Sequence, residues 1–244
     1  MVIAAILAGG SGSRMGNTAK PKQFMELGGK PILLHTVDKF LLHPEVDGVA
    51  VLCPAQWVSY TKDLLSAPEY QSVEVLAGGA TRNETLKNAL EWARHIGEDS
   101  GFGGCGDNIL VTHDAVRPFV THRIISENIA AVKEGGACDT VVPATDTIVR
   151  SADGKAISEI PPRPELYQGQ TPQSFRCKEL AELMESLTQE EEAVLTDACK
   201  IYVLRGRPVY LVQGEVYNMK ITYPYDVKVA KALLDLDLSD GEKT

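Results

Sequence analysis

Five short apolar runs alternate with stretches of helical periodicity, and this alternation leaves few architectures open to the chain. The runs cover residues 2–8, 46–53, 73–76, 108–113 and 140–144. Residues 2–8 and 46–53 read as buried strands, and residues 73–76, 108–113 and 140–144 as further strands. Amphipathic patterns lie between them. Ile32, Leu33, Val37, Phe40 and Leu41 share one face of a helix that Pro31 opens in its first turn. Residues 56–65 form a second helix, closed near Pro68. Thr81 and Glu84 make a capping box ahead of a third, whose core stripe is Leu86, Leu90 and Ala93. Helix signals return at Thr121, with Ile125, Ile129 and Val132 turned inward. Such repetition predicts an α/β fold, a mostly parallel sheet with right-handed crossovers and flanking helices.

The pattern breaks between residues 145 and 173. Asp146 to Val149, a turn at Asp153 and Gly154, then Ala156 and Ile157 predict a hairpin. Pro161, Pro162 and Pro164, and then residues 168–173, read as extended and turn-rich. An excursion this long from a compact domain is usually functional. Leu180, Leu183, Met184 and Leu187 then restore a helical face, residues 189–199 follow, residues 209–213 form a strand, and Pro224 starts a last helix packed through Val227, Ala230 and Leu234. The glycine-rich segment 99–107 reads as an exposed, mobile loop and the acidic tail 235–244 as frayed. The 244 residues fit a single domain, with residues 145–173 as an arm.

Composition narrows the partners. A net charge of −9 argues against a nucleic-acid backbone, whose binders carry basic patches. It leaves room for an anionic substrate, because a few local cations outweigh a global field at short range. No run approaches the ~18 apolar residues of a membrane span. The chain opens directly in a strand, with no basic leader or cleavage site, so the expected location is cytoplasmic. Cys53, Cys105, Cys138, Cys177 and Cys199 are scattered, without CxxC spacing, and are expected as reduced thiols rather than zinc ligands. His35 and His43 read as surface or boundary residues, and His113 as packing.

Three chemical signals fall at strand ends, where open parallel sheets bind ligands. The first strand runs into Gly9, Gly10, Gly12 and Gly16, with Arg14 and Lys22 close behind. Glycines let a backbone approach a ligand closely, and successive amides form an anion nest. Two mobile cations beside such a nest suit a polyphosphate. The loop lacks the Gly-Lys-Ser/Thr of a P-loop and misses the spacing of a dinucleotide fingerprint. The second signal is Gly78-Gly79 before the capped helix, where free helix amides could meet a base edge or phosphate. The third is Asp114. A carboxylate near phosphates is a hard ligand for Mg²⁺, or else a partner for a ribose or substrate hydroxyl.

Leu7-Ala8-Gly9-Gly10-Ser11-Gly12-Ser13-Arg14-Met15-Gly16 followed by Pro21-Lys22-Gln23 resembles the sugar-phosphate nucleotidyltransferases. The Pro-Lys-Gln form is similar to that of the 2-C-methyl-D-erythritol 4-phosphate cytidylyltransferase-like family, which acts on polyol phosphates. His113-Asp114-Ala115-Val116-Arg117-Pro118, Thr171-Pro172-Gln173 and Asn218-Met219-Lys220-Ile221-Thr222 extend the likeness from Ile3 to Ala232. The resemblance implies a Rossmann-like fold of the nucleotide-diphospho-sugar transferase type, with an arm that exchanges between the subunits of a homodimer. It also implies transfer of CMP from CTP to a polyol phosphate, with Mg²⁺ or another divalent cation as cofactor. Arg14, Lys22 and Lys220 are then the catalytic cations. Leu7, Ala8, Gly9, Gly10, Gly12, Gly79, Ala80, Arg82, Thr85 and Asp114 hold the nucleotide, and Asp114 also holds the metal. Arg117, Asp146, Thr147, Arg163 and Thr171 bind the acceptor, the alternative for Arg117 being a structural ion pair with Asp114. Asp197 falls in a family segment and suits a helix start. Ala80 stands where many methylerythritol enzymes have Asp, which leaves that contact to the backbone.

Within the family, three segments favour D-ribitol 5-phosphate as acceptor, with CDP-ribitol as product for teichoic acid and cell-wall synthesis. They are residues 114–119, where the methylerythritol enzymes usually have Ala in place of Val116, then residues 167–175 and 195–200. 2-C-methyl-D-erythritol 4-phosphate, of isoprenoid synthesis, is the alternative. A CTP-binding regulator without turnover is the alternative of another class, since fold does not fix function. The presence of Arg14, Lys22, Asp114 and Lys220 together argues against it.

Overall fold

The computed structural model describes residues 1–10, 20–99, 108–195 and 197–236. The predicted loop 99–107 from residue 100 on, the tail from residue 237, Gly12, Arg14 and Thr196 lie outside the described residues.

The chain opens with β1 (Val2–Leu7), then β2 (Glu26–Leu27), β3 (Lys30–Pro31), α1 (Ile32–Leu41) and β4 (Gly48–Cys53). There follow α2 (Val58–Leu64), β5 (Val73–Ala77), α3 (Arg82–Asp99), β6 (Ile109–Asp114), α4 (His122–Gly135) and β7 (Ala137–Pro143). After the arm come β8 (Tyr167–Arg176), α5 (Cys177–Glu185), α6 (Gln189–Val194), α7 (Cys199–Leu204), β9 (Tyr210–Gln213) and α8 (Pro224–Asp235). Among the described residues, seven strands form one sheet in the order β5-β4-β1-β6-β8-β7-β9. β5, β4, β1 and β6 pair in parallel, β7 pairs in parallel with β9, and β8 alone runs antiparallel between β6 and β7.

The pleat explains the apolar runs. On β1, Val2, Ala4 and Ile6 enter one core, while Ile3 and Ala5 enter the other. On β4, Val49, Val51 and Cys53 divide in the same way from Ala50 and Leu52. Successive side chains point to opposite faces, so a strand with helices on both sides must be apolar throughout. A third cluster, Leu27, Ile32, Val116, Phe119, Ile221 and Ala230, ties α8 to the β2–β3 turn and to the segment after β6.

Helix starts follow their signals. The Thr121 hydroxyl accepts the Ile124 amide at 3.2 Å at the head of α4, and Gly136 ends that helix at φ +90°. Glu84 and Thr81 exchange capping bonds at 3.1 and 3.4 Å. Pro31 sits one step earlier than expected, as the N-cap of α1, because Lys30 and Pro31 pair with β2. His43, expected near the surface, is 3% exposed; its Nε2 lies 3.0 Å from Ser126 Oγ.

Two larger corrections concern residues 145–176. The predicted hairpin is an exposed arm whose pairing is a single bridge, Arg150 with Glu159. Residues 168–173, expected as extended and turn-rich, are extended but do not turn: they belong to the ten-residue strand β8. Gly169 and Pro172 argue against a central strand, since proline cannot donate to a ladder. A bulge resolves the conflict. β7 pairs Asp139 with Gln173 and Val141 with Gly169, so Gln170, Thr171 and Pro172 stand opposite Thr140 alone. The Thr140 hydroxyl donates to the Pro172 carbonyl at 2.7 Å.

Candidate active site

The carboxyl edge of the parallel strands is level. Leu7 pairs with Leu52 on one side and Asp114 on the other, and Cys53 pairs with Ala77. The ladder continues one residue beyond these ends. Ala8 N–H donates to Leu52, Gly78 N–H to Cys53 and Ala115 N–H to Leu7, at 2.8, 2.8 and 3.0 Å. These bonds deliver the three sequence signals to one rim.

A cleft of about 310 Å³ opens there, lined by Leu7, Ala8, Gly9, Gly10, Lys22 and Gln23 on one side. Gly79 to Arg82, Thr85, Asp114 to Val116, Lys220 and Thr222 complete the wall. Lys22 stands on the short turn Lys22–Phe24 after the glycine loop. Its neighbour Gln23, 1% exposed, donates Nε2–H to the Ala8 carbonyl at 2.7 Å and so joins that turn to the end of β1. Gln23, Thr81 and Thr222 were not expected in the site, although Gln23 and Thr222 belong to the sequence motifs and Thr81 was read as a helix cap.

The head of α3 corrects one expectation. The Gly79 amide donates to Thr85 Oγ1 at 3.0 Å, and the Ala80 amide donates to Glu84 Oε2 at 2.6 Å. Those amides are taken by the helix cap and are not open to a ligand. Gly79 is required for a packing reason instead: a Cβ there would stand 2.1 Å from Glu84 Cβ.

Asp114 is the electrostatic centre. Its carboxylate is 8% exposed, with Arg82 Nη1 at 3.2 Å from Oδ1, and Arg117 Nε at 3.2 Å and Lys220 Nζ at 3.1 Å from Oδ2. Burial alone pushes a carboxyl up, but Lys220, Arg82 and Arg117 together hold Asp114 well below the usual carboxylate range. The expected role for a divalent ion is compatible with this set. Among the described residues, no group of three His, Cys, Asp or Glu side chains could cage a metal. Three cations take up most of the carboxylate's lone pairs, which leaves it able to offer one contact. A Mg²⁺ that draws most of its shell from phosphate oxygens needs no more.

Arg117 is placed beneath the cleft rather than in it. It is 9% exposed, and its Nη1 donates to the Asn218 carbonyl at 2.8 Å. The pairing with Asp114 is the role the structure gives it. Thr171 is likewise buried, 3% exposed, with its hydroxyl accepting the Asp114 amide at 3.1 Å. Asp146, Thr147 and Arg163 lie on the exposed arm outside this cleft, Arg163 donating to the Thr145 carbonyl at 3.2 Å. His113 is fully buried and held neutral, its pKa pushed down by burial to about 4. Asp197 does serve at a helix start, accepting the Cys199 amide at 2.8 Å, and also takes a bond from Gln173 at 2.8 Å. The four described cysteines, Cys53, Cys138, Cys177 and Cys199, are buried thiols, and none is in a disulfide among the described residues.

A parallel sheet that gathers cations around one carboxylate, beside a glycine loop, is built to bring phosphorylated molecules together, and this is the arrangement of a nucleotidyltransferase. The family model described as "IspD: 2-C-methyl-D-erythritol 4-phosphate cytidylyltransferase" matches residues 2–236, and the chain belongs to that family of CTP-using cytidylyltransferases. It is 26% identical to a 4-diphosphocytidyl-2C-methyl-D-erythritol synthase from Anaerococcus prevotii, with a TM-score of 0.78 over 96% of each chain. It is 28% identical to another 4-diphosphocytidyl-2C-methyl-D-erythritol synthase, with a TM-score of 0.77 over 96% of this chain and 99% of that one. For a 2-C-methyl-D-erythritol 4-phosphate cytidylyltransferase from Thermus thermophilus the identity is 26% and the TM-score 0.71, over 96% and 100%. The mostly parallel α/β sheet flanked by helices is common to all. No helix of the described residues is long and apolar enough to cross a membrane.

Proposed function

We propose that the chain transfers CMP from CTP to 2-C-methyl-D-erythritol 4-phosphate, releasing pyrophosphate. The observation that carries nucleotidyl transfer is the convergence of Arg82, Arg117 and Lys220 on Asp114 at the rim that also presents Lys22. The acceptor phosphate attacks the α-phosphorus of CTP, and the bond to the β-phosphate oxygen breaks. That nucleophile is already ionised at neutral pH, so the protein supplies position and positive charge rather than a strong base. Lys22 and Lys220 face the cleft and carry that charge, together with Arg14 of the glycine loop. A divalent cation, Mg²⁺ or another, would be held by Asp114 and the phosphates and would neutralise charge there. Ala8, Gly9, Gly79 and Ala80 surround the base, whose size the narrow rim between β1 and α3 selects.

The acceptor follows the name shared by the family model and the solved relatives. One observation favours D-ribitol 5-phosphate as a second reading. Val116 lines the cleft, and its backbone carbonyl accepts the Ile221 amide at 2.9 Å beside Lys220. A valine there narrows the acceptor side relative to the alanine usual in methylerythritol enzymes. A homodimer also belongs to this proposal. The arm exposes Ile148, Val149, Ile157 and Ile160 at 39–60%, an apolar stripe that a second subunit would cover. Asp146, Thr147 and Arg163 would then complete the partner's acceptor site.

The experiment is pyrophosphate release with CTP and Mg²⁺, comparing the two polyol phosphates by kcat/KM. A large preference for methylerythritol phosphate supports the proposal. A large preference for ribitol phosphate replaces the acceptor and keeps the site, and CTP binding without turnover on either removes the proposal.

A further inference from the structure

The transfer chemistry makes no use of His113, yet its fully buried imidazole joins two ends of the site. Nδ1 lies 2.9 Å from Thr171 Oγ1 and Nε2 lies 3.0 Å from the Arg117 carbonyl oxygen. The protons along this chain can be assigned. Thr171 Oγ1 accepts the Asp114 amide at 3.1 Å and keeps its own proton to donate, and a neutral ring protonated on Nε2 offers Nδ1 as the acceptor for it. A carbonyl oxygen only accepts, so the ring proton is on Nε2. The chain therefore runs from Asp114 N–H to Thr171 to His113, and from His113 Nε2–H to Arg117. The ring holds both the first and the last residue of the turn 114–117.

The same turn is held from the far side. Arg117 donates to the Asn218 carbonyl at 2.8 Å, and Asn218 Nδ2 donates to the Thr171 carbonyl at 2.9 Å and to Gln170 Oε1 at 3.2 Å. Asn218 is fully buried and stands two residues before Lys220. His113, Thr171 and Asn218 are all absent from the cleft wall, whereas Asp114 and Lys220 are on it. The bulge in β8 turns the Thr171 hydroxyl toward the Asp114 amide, where an unbroken ladder would offer a backbone carbonyl. The low local dielectric strengthens the bonds of such a buried network, although Asn218 Oδ1 has no hydrogen-bond partner among the described residues.

We propose that His113 is a positioning residue for the transfer: through Thr171 and the Arg117 carbonyl it sets where the Asp114 carboxylate stands relative to the Lys220 ammonium. The proposal rests on the nucleotidyl-transfer reading of the site. An interaction that acts in the transition state is sensitive to sub-ångström placement, while base binding at the β1 and α3 rim uses none of His113, Thr171 and Asn218, which lie off the cleft wall.

The test is steady-state kinetics of His113→Phe, with thermal melts and a Lys220→Ala background. Phenylalanine keeps the ring packing on Phe40, whose centroid is 5.1 Å from that of His113, and removes both hydrogen bonds. The expected result is a cooperative melt, a KM for CTP within about threefold of wild type, and a kcat lower by about 100-fold. His113→Gln, which keeps a donor for the Arg117 carbonyl, recovers part of kcat. In the Lys220→Ala background, His113→Phe costs less than about threefold more, because the group it places is gone. A folded His113→Phe with wild-type kcat, or losses that multiply in full in the double variant, overturns the proposal. Should His113→Phe not fold, His113→Gln carries the same double-variant comparison. A wild-type protein that releases no pyrophosphate with either acceptor sinks the transfer reading itself, whereas an active wild type matched by His113→Phe sinks only the role of His113.

Discussion

Asp114→Asn removes the one negative charge that three cations share, and its cost can be worked from their exposures. The Arg117 side chain is 10% exposed and sits 3.2 Å from the carboxylate, so it becomes a buried charge without its counter-ion. Breaking such a pair costs about 3–5 kcal/mol. Arg82 and Lys220 are 31% and 40% exposed, and water screens their pairs to under about 1 kcal/mol each. A total near 4 kcal/mol follows, which for a chain of this size lowers Tm by roughly 8–16 °C. The pH dependence has a definite sign. Asp114 is held below its unfolded pKa in the folded state, so its stabilisation is present above the unfolded value, about 4, and is lost as pH falls through the folded value. Thermal melts of both proteins from pH 8 down to pH 3 should show a constant gap at pH 8 to 5 that narrows only below about pH 4. A gap of less than about 2 °C at pH 7, or one that is unchanged at pH 3, would refute the reasoning that Asp114 is the shared counter-ion.

Three further perturbations probe the site and its walls. Lys22→Ala should lower kcat by more than it raises the Kd for CTP, measured by titration calorimetry beside turnover; equal losses would make Lys22 a binding residue only. Gly79→Ala places a methyl 2.9 Å from the Glu84 backbone carbon, so a destabilisation of about 1–3 kcal/mol is expected in a urea titration, with wild-type stability counting against the tight helix head. Mixing inactive Arg163→Ala subunits with inactive Lys22→Ala subunits should restore about a quarter to a half of wild-type activity if the arm acts across a dimer. No recovery after verified subunit exchange removes that role from Arg163.

What could be read in advance follows from which interactions are local. Strand runs, the Thr81–Glu84 cap and the Thr121 start depend on neighbours in sequence, and they appear where expected. Among the cleft residues, the glycine loop with Lys22, Gly79 and Asp114 were legible for a related reason, since the ends of parallel strands share one edge, whereas Thr85 and Lys220 were expected only from the family resemblance. Thr171 and Arg117 were legible as motif residues but not in their positions. Their burial comes from bonds to partners 57 and 101 residues away, Asp114 and Asn218. β8 was lost because Gly169 and Pro172 carry the local marks of a turn, and only the opposing Thr140 shows that a bulge absorbs them. The Gly79 and Ala80 amides looked open because the reach of the Thr85 and Glu84 side chains back over the helix head cannot be read from spacing alone.

The strand order has a consequence for the time at which the site comes into being. β6 and β7 are neighbours in sequence but not in the sheet, where β8 separates them. A ribosome that has released residues 1–143 has emitted both walls of a slot and nothing to fill it. The edges of β6 and β7 that face each other must wait, unpaired, until Tyr167–Arg176 arrives and is threaded between them. The Asp114 amide waits with them for Thr171. The nucleotide half of the rim, made by β1, β4 and β5, is complete long before. Birth order thus separates the two halves of the site: a nascent chain can acquire its nucleotide rim first, and it gains the brace under Asp114 only when the last interior strand closes the sheet.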